Sequence, residues 1–322
     1  MKAFVLTESG PAIADVAQPS PRPHEIVVRV RAAALNRADL GMAAGYRHGA
    51  AGGVGQVLGM EWAGEVVEAG TDVTDLAVGQ RVMGSGAGAF AEYAAADAGR
   101  VSSIPEGVDF AAAACLPVGL QTMHDAVVTH GELKPGQAVL IQGASSGVGL
   151  IAMQIAKVMG AGLVVGSSTN AERRARLAEF GADLAVDSAD PAWVDQVLAA
   201  TDGRGVDLTV DQVSGATANQ NLAATRILGR IVNVGRLGGM RGEFDFDLHA
   251  LRRITYVGVT FRTRSGEEVR QIVWRMREDL WDAVSAGRIV VPIDRTFPLR
   301  AAADALGHMR ANRHFGKIVL TL

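Results

Sequence analysis

Polar and apolar residues alternate along the first hundred positions of the chain. In residues 25–31 charged side chains alternate with Ile and Val, the period of two that marks a strand with one buried face. Residues 64–70, 79–84 and 90–94 repeat this pattern in shorter form, and residues 41–59 read as a glycine-rich loop. The N-terminal part of the chain is therefore predicted to be rich in β-structure.

The pattern changes near Cys115, where short apolar runs begin to alternate with stretches of helical periodicity. The apolar runs predict strands at 138–141, 163–166, 206–211, 230–234 and 316–322. The periodic stretches predict helices at 148–160, 171–180, 216–228 and 301–309. Repeated strand–helix units of this kind predict an α/β fold, with a doubly wound parallel sheet covered by helices on both faces.

A glycine-rich turn joins the first of these strands to its helix. The turn runs from Gly143 to Gly149, between a buried strand and a helix, which is the context of a dinucleotide-binding turn. Its small residues would let the backbone approach a pyrophosphate, which the helix N-terminus would hold. The match to G-x-G-x-x-G is partial, because Ala144 and Ser146 stand at the first two glycine positions. An ordinary strand-to-helix turn is the alternative interpretation.

The tip of the second predicted strand indicates which dinucleotide would bind. NAD-binding sites place a carboxylate there for the ribose 2′-hydroxyl, whereas this chain has Ser167 and Ser168, with Arg173 and Arg174 shortly after. Hydroxyls and guanidinium groups suit a 2′-phosphate. The sequence therefore predicts NADPH, with Arg173 as the main phosphate contact. The alternative is a solvated arginine paired with Glu172 or Glu179.

Charge and cysteine content exclude several classes of function. The net charge is −3 without a block of like charges, which argues against nucleic acid or an anionic membrane as the main partner. Cys115 is the single cysteine, so no intrachain disulfide and no multi-cysteine metal site can form. The uncharged stretch 138–156 contains Gln and Ser residues and reads as strand, turn and helix, not as a membrane span. The N-terminus has too short an apolar run for a signal peptide, and we predict a cytoplasmic protein.

Six motifs together make the chain resemble a known enzyme family. They are ALNRAD at 34–39, LGMEWAG at 58–64, GLQT at 119–122, GASSGVG at 143–149, GVD at 205–207 and GKIVL at 316–320. In order and spacing they resemble the zinc-free quinone oxidoreductase (zeta-crystallin-like) branch of the medium-chain dehydrogenases/reductases. The resemblance implies a GroES-like β-barrel catalytic domain built from 1–118 and 260–322, with a Rossmann NADP-binding domain inserted at 119–259. It also implies a homodimer.

The same resemblance bears on metal binding. Zinc-dependent relatives carry ligands at the positions held here by Asn36, Met60 and Val118. None of these offers Cys or His, so we predict no metal site. Without zinc to polarise an alcohol, reduction of an already activated acceptor is the expected chemistry.

The resemblance places Asn36 and Tyr46 beside the nicotinamide as catalytic hydrogen-bond donors. A turn-stabilising role for Asn36 and a packing role for Tyr46 are the alternatives. Arg47 and His48 are expected to be surface residues, and Glu61 to be structural.

Cofactor contacts follow from the resemblance in the same way. Thr122 would lie near the nicotinamide amide, and a family tyrosine at the 2′-phosphate is replaced here by Ser188. The full set of predicted cofactor-binding residues is Thr122, Gly143, Ser146, Gly147, Val148, Ser167, Ser168, Arg173, Asn233, Gly235 and Asn312.

The predicted activity is hydride transfer from NADPH to a small quinone or α,β-unsaturated carbonyl, without zinc. One alternative is an enoyl-thioester or ketone reductase of the same fold, for which residues 262–264 supply a short basic cluster. Another is a non-catalytic NADPH-binding protein, since fold does not fix function.

Overall fold

The computed structural model describes residues 1–49 and 51–322, which form two compact units. The first unit comprises Met1–Val118, Phe261–Ser285 and Val290–Leu322, and the second comprises Gly119–Thr260 and Ala286–Ile289. Ala50, inside the predicted loop at 41–59, lies outside the described residues. Within the described residues, no helix has the length and apolar character needed to cross a membrane.

The elements follow one another along the chain in three groups. The N-terminal group is β1 (Lys2–Thr7), β2 (Gly10–Asp15), β3 (Glu25–Ala34), α1 (Arg37–Ala43), β4 (Glu61–Ala69), β5 (Arg81–Ser85), β6 (Tyr93–Asp97), β7 (Val101–Ser103) and α2 (Phe110–Ala114). The middle group is α3 (Pro117–His124), β8 (Ala138–Gln142), α4 (Gly147–Val158), β9 (Leu163–Ser167), α5 (Ala171–Ala175), β10 (Leu184–Val186), α6 (Trp193–Ala200), β11 (Val206–Asp211), α7 (Ala218–Ala224), β12 (Thr225–Asn233), α8 (Phe246–Arg252) and β13 (Thr255–Gly258). The C-terminal group is α9 (Gly266–Ser285), β14 (Ile293–Pro298), α10 (Ala302–Arg310) and β15 (Lys317–Thr321).

In the first unit both ends of the chain contribute to one sheet. Its strand order is β14-β15-β3-β4-β5-β7, and β6 also pairs with β3. β3 is the central strand, and Ile26, Val27 and Val28 within it are fully buried. The register places Ala34, at the end of β3, opposite Glu61 on one side and Val319 on the other. The end of β3 therefore lies beside the starts of β4 and β15.

The second unit is built on a parallel sheet of order β10-β9-β8-β11-β12-β13. This is the order of a Rossmann fold, whose switch point lies between the first and fourth strands, here β8 and β11. The register pairs Gln142 with Asp211 and Asp211 with Asn233, so the carboxyl ends of β8, β11 and β12 lie side by side. The predicted fold, a doubly wound parallel sheet together with a GroES-like domain, is confirmed.

Two predicted helices are shorter in the structure. In the predicted helix 171–180, α5 ends at Ala175 and a 3-10 turn, Leu177–Phe180, follows, because this turn buries Leu177 before Gly181 ends it at φ 96°. The predicted helix 216–228 is wrong after Ala224, where β12 begins. Thr225 there is fully buried, and its hydroxyl lies 2.8 Å from that of Thr209 on β11, so strand pairing overrides the helical periodicity.

Candidate functional site: a dinucleotide turn and a buried polar cluster

The turn after β8 has the backbone of a phosphate-binding turn. Gly143 adopts φ 71°, a left-handed conformation that favours glycine, so the tight-turn glycine lies one residue before Ala144. A Cβ on Gly149 would lie 2.7 Å from the Cα and carbonyl oxygen of Ala144, so a glycine is required for α4 to pack this close to the turn. Ser146 caps α4, its Oγ accepting from Gly149 N at 3.0 Å.

The helix N-terminus also has backbone donors to offer. In the first turn of α4, Gly149 N and Leu150 N both donate to Ser146. The N–H groups of Gly147 and Val148 donate to no acceptor within the described residues. Together with the positive end of the helix dipole, these two N–H groups form an anion site of the type that holds a pyrophosphate. The residues therefore fit a dinucleotide.

Hydrogen bonds from buried amide and hydroxyl side chains hold this turn in place. Ser167 Oγ accepts from Gly143 N at 3.0 Å and donates to Gln142 Oε1 at 2.5 Å. Gln142 Nε2 in turn donates to Asn221 Oδ1 at 2.8 Å, and both side chains are fully buried. Ser167 itself is 0% exposed, so the structure uses its hydroxyl to support the turn. From the sequence, Ser167 is predicted to contact the 2′-phosphate of the cofactor.

At the tip of β9 one of the two arginines is held in place by an acid. Arg174 Nη1 donates to Ser168 O at 2.8 Å and to Asp187 Oδ2 at 2.9 Å. The Ser168 hydroxyl donates to Ser145 Oγ at 2.9 Å. Arg173 is in α5, one residue before Arg174, and is half-buried. The tip thus carries two guanidinium groups, of which that of Arg174 is bonded to the Asp187 carboxylate.

A second polar group lies at the ends of β11 and β12. Asn233 Nδ2 donates to Ser214 Oγ, and Ser214 Oγ donates to Gly235 O at 2.7 Å. A Cβ on Gly235 would lie 2.6 Å from Gln212 O, so this loop also needs a glycine. Ser214 has φ 59° and ψ −157°, a strained conformation that is essentially confined to glycine elsewhere.

Asp211 holds that strained residue. Its Oδ1 accepts from Val213 N at 2.8 Å and from Ser214 N at 2.9 Å, and its Oδ2 has no hydrogen-bond partner among the described residues. Burial raises the pKa of Asp211, partly offset by these backbone donors. Asp211 and Ser214 were missed by the sequence analysis, because their importance depends on contacts across neighbouring strands.

In the first unit, Asn36 lies in a buried polar cluster. Its Nδ2 donates to Glu61 Oε1 at 2.9 Å, and its Oδ1 accepts from Lys317 Nζ at 3.0 Å. Lys317 and Glu61 also form an ion pair, and Val118 N donates to Glu61 Oε2 at 2.9 Å. Asp39 Oδ2 accepts from Asn36 N at 2.6 Å. The GKIVL motif contains Lys317 but does not indicate a role for it, and the structure shows its contacts with Asn36 and Glu61.

The remaining predicted site residues are Tyr46, Asn312 and Thr122. Tyr46 lies in the coil after α1 and is 73% exposed. Asn312 is exposed, and its Oδ1 accepts from Arg37 Nη2 at 2.9 Å. Thr122 is half-buried on α3, in the second unit. Within the described part of the chain, no group of three or more His, Cys, Asp or Glu side chains is arranged to hold a metal ion.

Comparison with known proteins agrees with this architecture. Residues 22–106 match the family described as alcohol dehydrogenase GroES-like domain, and residues 147–278 match zinc-binding dehydrogenase. Over its full length the chain superposes on a Pseudomonas syringae quinone oxidoreductase, with a TM-score of 0.86 and 26% identity over 100% of both chains. It also superposes on a mycobacterial protein solved in complex with NADPH, with a TM-score of 0.88 and 26% identity over 100% of both chains.

A curated relative is much longer than this chain. A phenolphthiocerol/phthiocerol polyketide synthase component of Mycobacterium tuberculosis is 29% identical over 308 residues, which cover 96% of this chain. The chain spans only 14% of the length of that synthase component. Because both family matches and the full-length superpositions agree with the sheet orders above, we conclude that the chain belongs to the medium-chain dehydrogenase/reductase family of NAD(P)-dependent oxidoreductases, with structural neighbours in the quinone oxidoreductase branch.

Proposed function

We propose that this chain is an NADPH-dependent reductase that transfers hydride to a quinone or an α,β-unsaturated carbonyl without zinc. The observation that carries the proposal is the tip of β9, which lacks a carboxylate and presents Arg173 and Arg174. Since Asp187 is bonded to Arg174, it neutralises part of this charge, and Arg173 supplies further positive charge for a 2′-phosphate. Bound NADPH would supply the hydride.

The protein would contribute donors to the acceptor oxygen, where negative charge develops during reduction. We assign this role to the Asn36 carboxamide and the Tyr46 phenol. Tyr46, being largely exposed, is also a candidate source of the proton, which solvent can supply as well. Tyr46→Phe should lower turnover with an enone and leave NADPH binding nearly unchanged, and unaltered turnover would remove Tyr46 from this role.

The cofactor assignment is tested by following NADPH and NADH oxidation in parallel against a panel of quinones and enones. We expect turnover with NADPH, and Arg173→Ala should raise the KM for NADPH about tenfold while kcat changes little. Arg176→Ala is the matched control, because Arg176 pairs with Glu179 on the surface nearby. Equal use of NADH by the wild type would contradict the proposal. NADPH binding without turnover on any acceptor would favour a non-catalytic NADPH-binding protein.

An enoyl thioester is the second candidate acceptor, favoured by the similarity to a polyketide synthase. As candidate contacts for an anionic carrier group we name three arginines of the first unit, Arg47, Arg262 and Arg264. Gly49 lies close to the backbone of Arg262, since a Cβ on Gly49 would lie 2.8 Å from Arg262 O, and Arg264 forms an ion pair with Glu268 at 3.9 Å. Comparing a coenzyme A enoyl thioester with the same enoyl group on a short uncharged thiol separates the two cases. A preference for the coenzyme A form that Arg262→Ala removes would identify a thioester reductase.

We further propose a zinc-independent homodimer in the cytoplasm. Asn36, Met60 and Val118 lack the nitrogen and sulfur ligands of zinc, and elemental analysis showing stoichiometric zinc would overturn this part. Pairing through the edge strand β13 is supported by two exposed aromatic side chains, Tyr256 on β13 at 38% and Phe246 at the start of α8 at 77%. Light scattering should give the mass of two chains, and Tyr256→Glu should shift it toward one.

A further inference from the structure

A buried ion pair lies where three strand ends of the first unit meet. Lys317 begins β15 and Glu61 begins β4, beside Asn36, which follows β3 and caps α1. The Lys317 and Glu61 side chains are only 4% and 0% exposed. A buried ion pair loses about as much hydration energy as it gains in attraction, so it is weak support for stability. Its position beside a predicted catalytic residue indicates another role.

The pair holds the Asn36 carboxamide from both ends. Lys317 Nζ donates to Asn36 Oδ1 at 3.0 Å, and Asn36 Nδ2 donates to Glu61 Oε1 at 2.9 Å. Reversing the amide would turn its donor toward the ammonium and its acceptor toward the carboxylate, so the two charges fix its orientation. A cation at Oδ1 also polarises the amide, which makes its N–H a stronger donor.

Glu61 is itself fixed, because its other oxygen, Oε2, accepts from Val118 N at 2.9 Å. Lys317 is fixed likewise, since Nζ also donates to Leu35 O at 3.2 Å. Asn36 Nδ2 carries a second hydrogen, for which the described residues provide no acceptor. A preorganised N–H of this kind is what stabilises a developing oxyanion.

We propose that Lys317 and Glu61 are positioning residues that orient and polarise Asn36, so that its second Nδ2 hydrogen stabilises the charge developing on the acceptor oxygen. The inference rests on the proposed function, in which Asn36 contacts the acceptor. It adds a source of positive charge, the Lys317 ammonium, that acts through the amide.

A double-mutant cycle tests this coupling. Asn36→Ala should lower kcat/KM for an enone about 100-fold, and Lys317→Met should lower it about tenfold or more, mainly through kcat. Lys317→Met in the Asn36→Ala background should have little further effect, because Lys317 acts only through Asn36. Multiplicative losses in the double variant would overturn the proposal. Lys157→Met, which breaks the surface pair with Asp183, is the matched control and should leave kcat unchanged.

Removing one partner of a buried pair destabilises a protein, so folding is checked by circular dichroism and by NADPH binding to the second unit. If Lys317→Met does not fold, Lys317→Met with Glu61→Gln removes both charges and replaces it in the cycle.

A readout without turnover distinguishes this inference from the proposed function. The Asn36 side-chain amide signal is assigned in an isotope-edited NMR spectrum by its loss in Asn36→Ala. Its two hydrogens should have separate resonances that exchange slowly with water in the wild type, and Lys317→Met should accelerate that exchange about tenfold or more. Unchanged exchange would overturn the positioning role. A wild type that is inactive on every acceptor would refute the proposed function, and this spectrum would still decide whether Lys317 positions Asn36.

Discussion

Asp39 is a buried carboxyl that should set how the stability of the first unit depends on pH. Its side chain is 0% exposed, and its Oδ1 has no hydrogen-bond partner among the described residues. Burial raises the pKa of Asp39 from 3.8 to about 7, against the opposing effects of the Asn36 N–H and the Lys317 charge. Asp39→Asn removes this titration and keeps a side-chain oxygen to accept from Asn36 N.

The raised pKa fixes the sign of the effect. Between about pH 4 and pH 7 the folded chain keeps a proton on Asp39 that the unfolded chain has released, so rising pH favours unfolding. Below both pKa values Asp39 contributes no pH dependence, and above both its penalty is constant. At about 1.36 kcal/mol per pKa unit, raising the pH from about 5 to 8 should lower the free energy of unfolding of the wild type by about 3 kcal/mol more than that of Asp39→Asn. The unpaired amide hydrogens that this substitution introduces would shift stability by an amount independent of pH.

Urea unfolding of both proteins across this pH range measures the difference. Cys115 is the single cysteine and is buried in the same unit as Asp39, so pulse labelling with a thiol reagent active at acidic pH reports unfolding of that unit. Asp75→Asn, at an exposed position of the same unit, controls for the loss of one negative charge. Parallel stability curves for wild type and Asp39→Asn would refute the reasoning.

Three further predictions concern single positions. Gly149→Ala should weaken NADPH binding about tenfold or more, since the new Cβ would lie 2.7 Å from backbone atoms of Ala144; an unchanged Kd in a fluorescence titration would contradict this. Gly316→Ala should lower the free energy of unfolding by about 3 kcal/mol, because Gly316 has φ 88° and its Cβ would lie 2.1 Å from Pro292 O. The control is Gly307→Ala, at an exposed helix position where a new Cβ would have no atom within 4 Å. It should raise the free energy of unfolding by about 0.5–1 kcal/mol, and urea unfolding measures both variants. The Cys115 thiol, whose pKa burial raises to about 12, should resist alkylation in the native protein near neutral pH and react once urea unfolds it; rapid native labelling would show that this site is open.

Local patterns predicted four of the six strands of the Rossmann sheet, β8, β9, β11 and β12, and its phosphate turn. Each of these four strands contains a short apolar run, and the turn from Gly143 to Gly149 is contiguous, so neighbouring residues carry the signal. The same reasoning wrongly predicted helix for residues 225–228, which belong to β12 because they join the sheet beside β11. It gave no element for α9, whose buried stripe of Val269, Ile272 and Val273 is interrupted by charged residues.

The fold class and the absence of a carboxylate at the tip of β9 could be predicted from the amino-acid sequence, because both depend on residues close together in the chain. The sequence also supplied Asn36, through the resemblance, but not what holds its amide. The contacts of Asn36 with Glu61 and Lys317, which lie 25 and 281 positions away along the chain, arise from folding. Such contacts are decided by strand register at the end of β3, and no local pattern of polar and apolar residues specifies which distant charges a register will bring together.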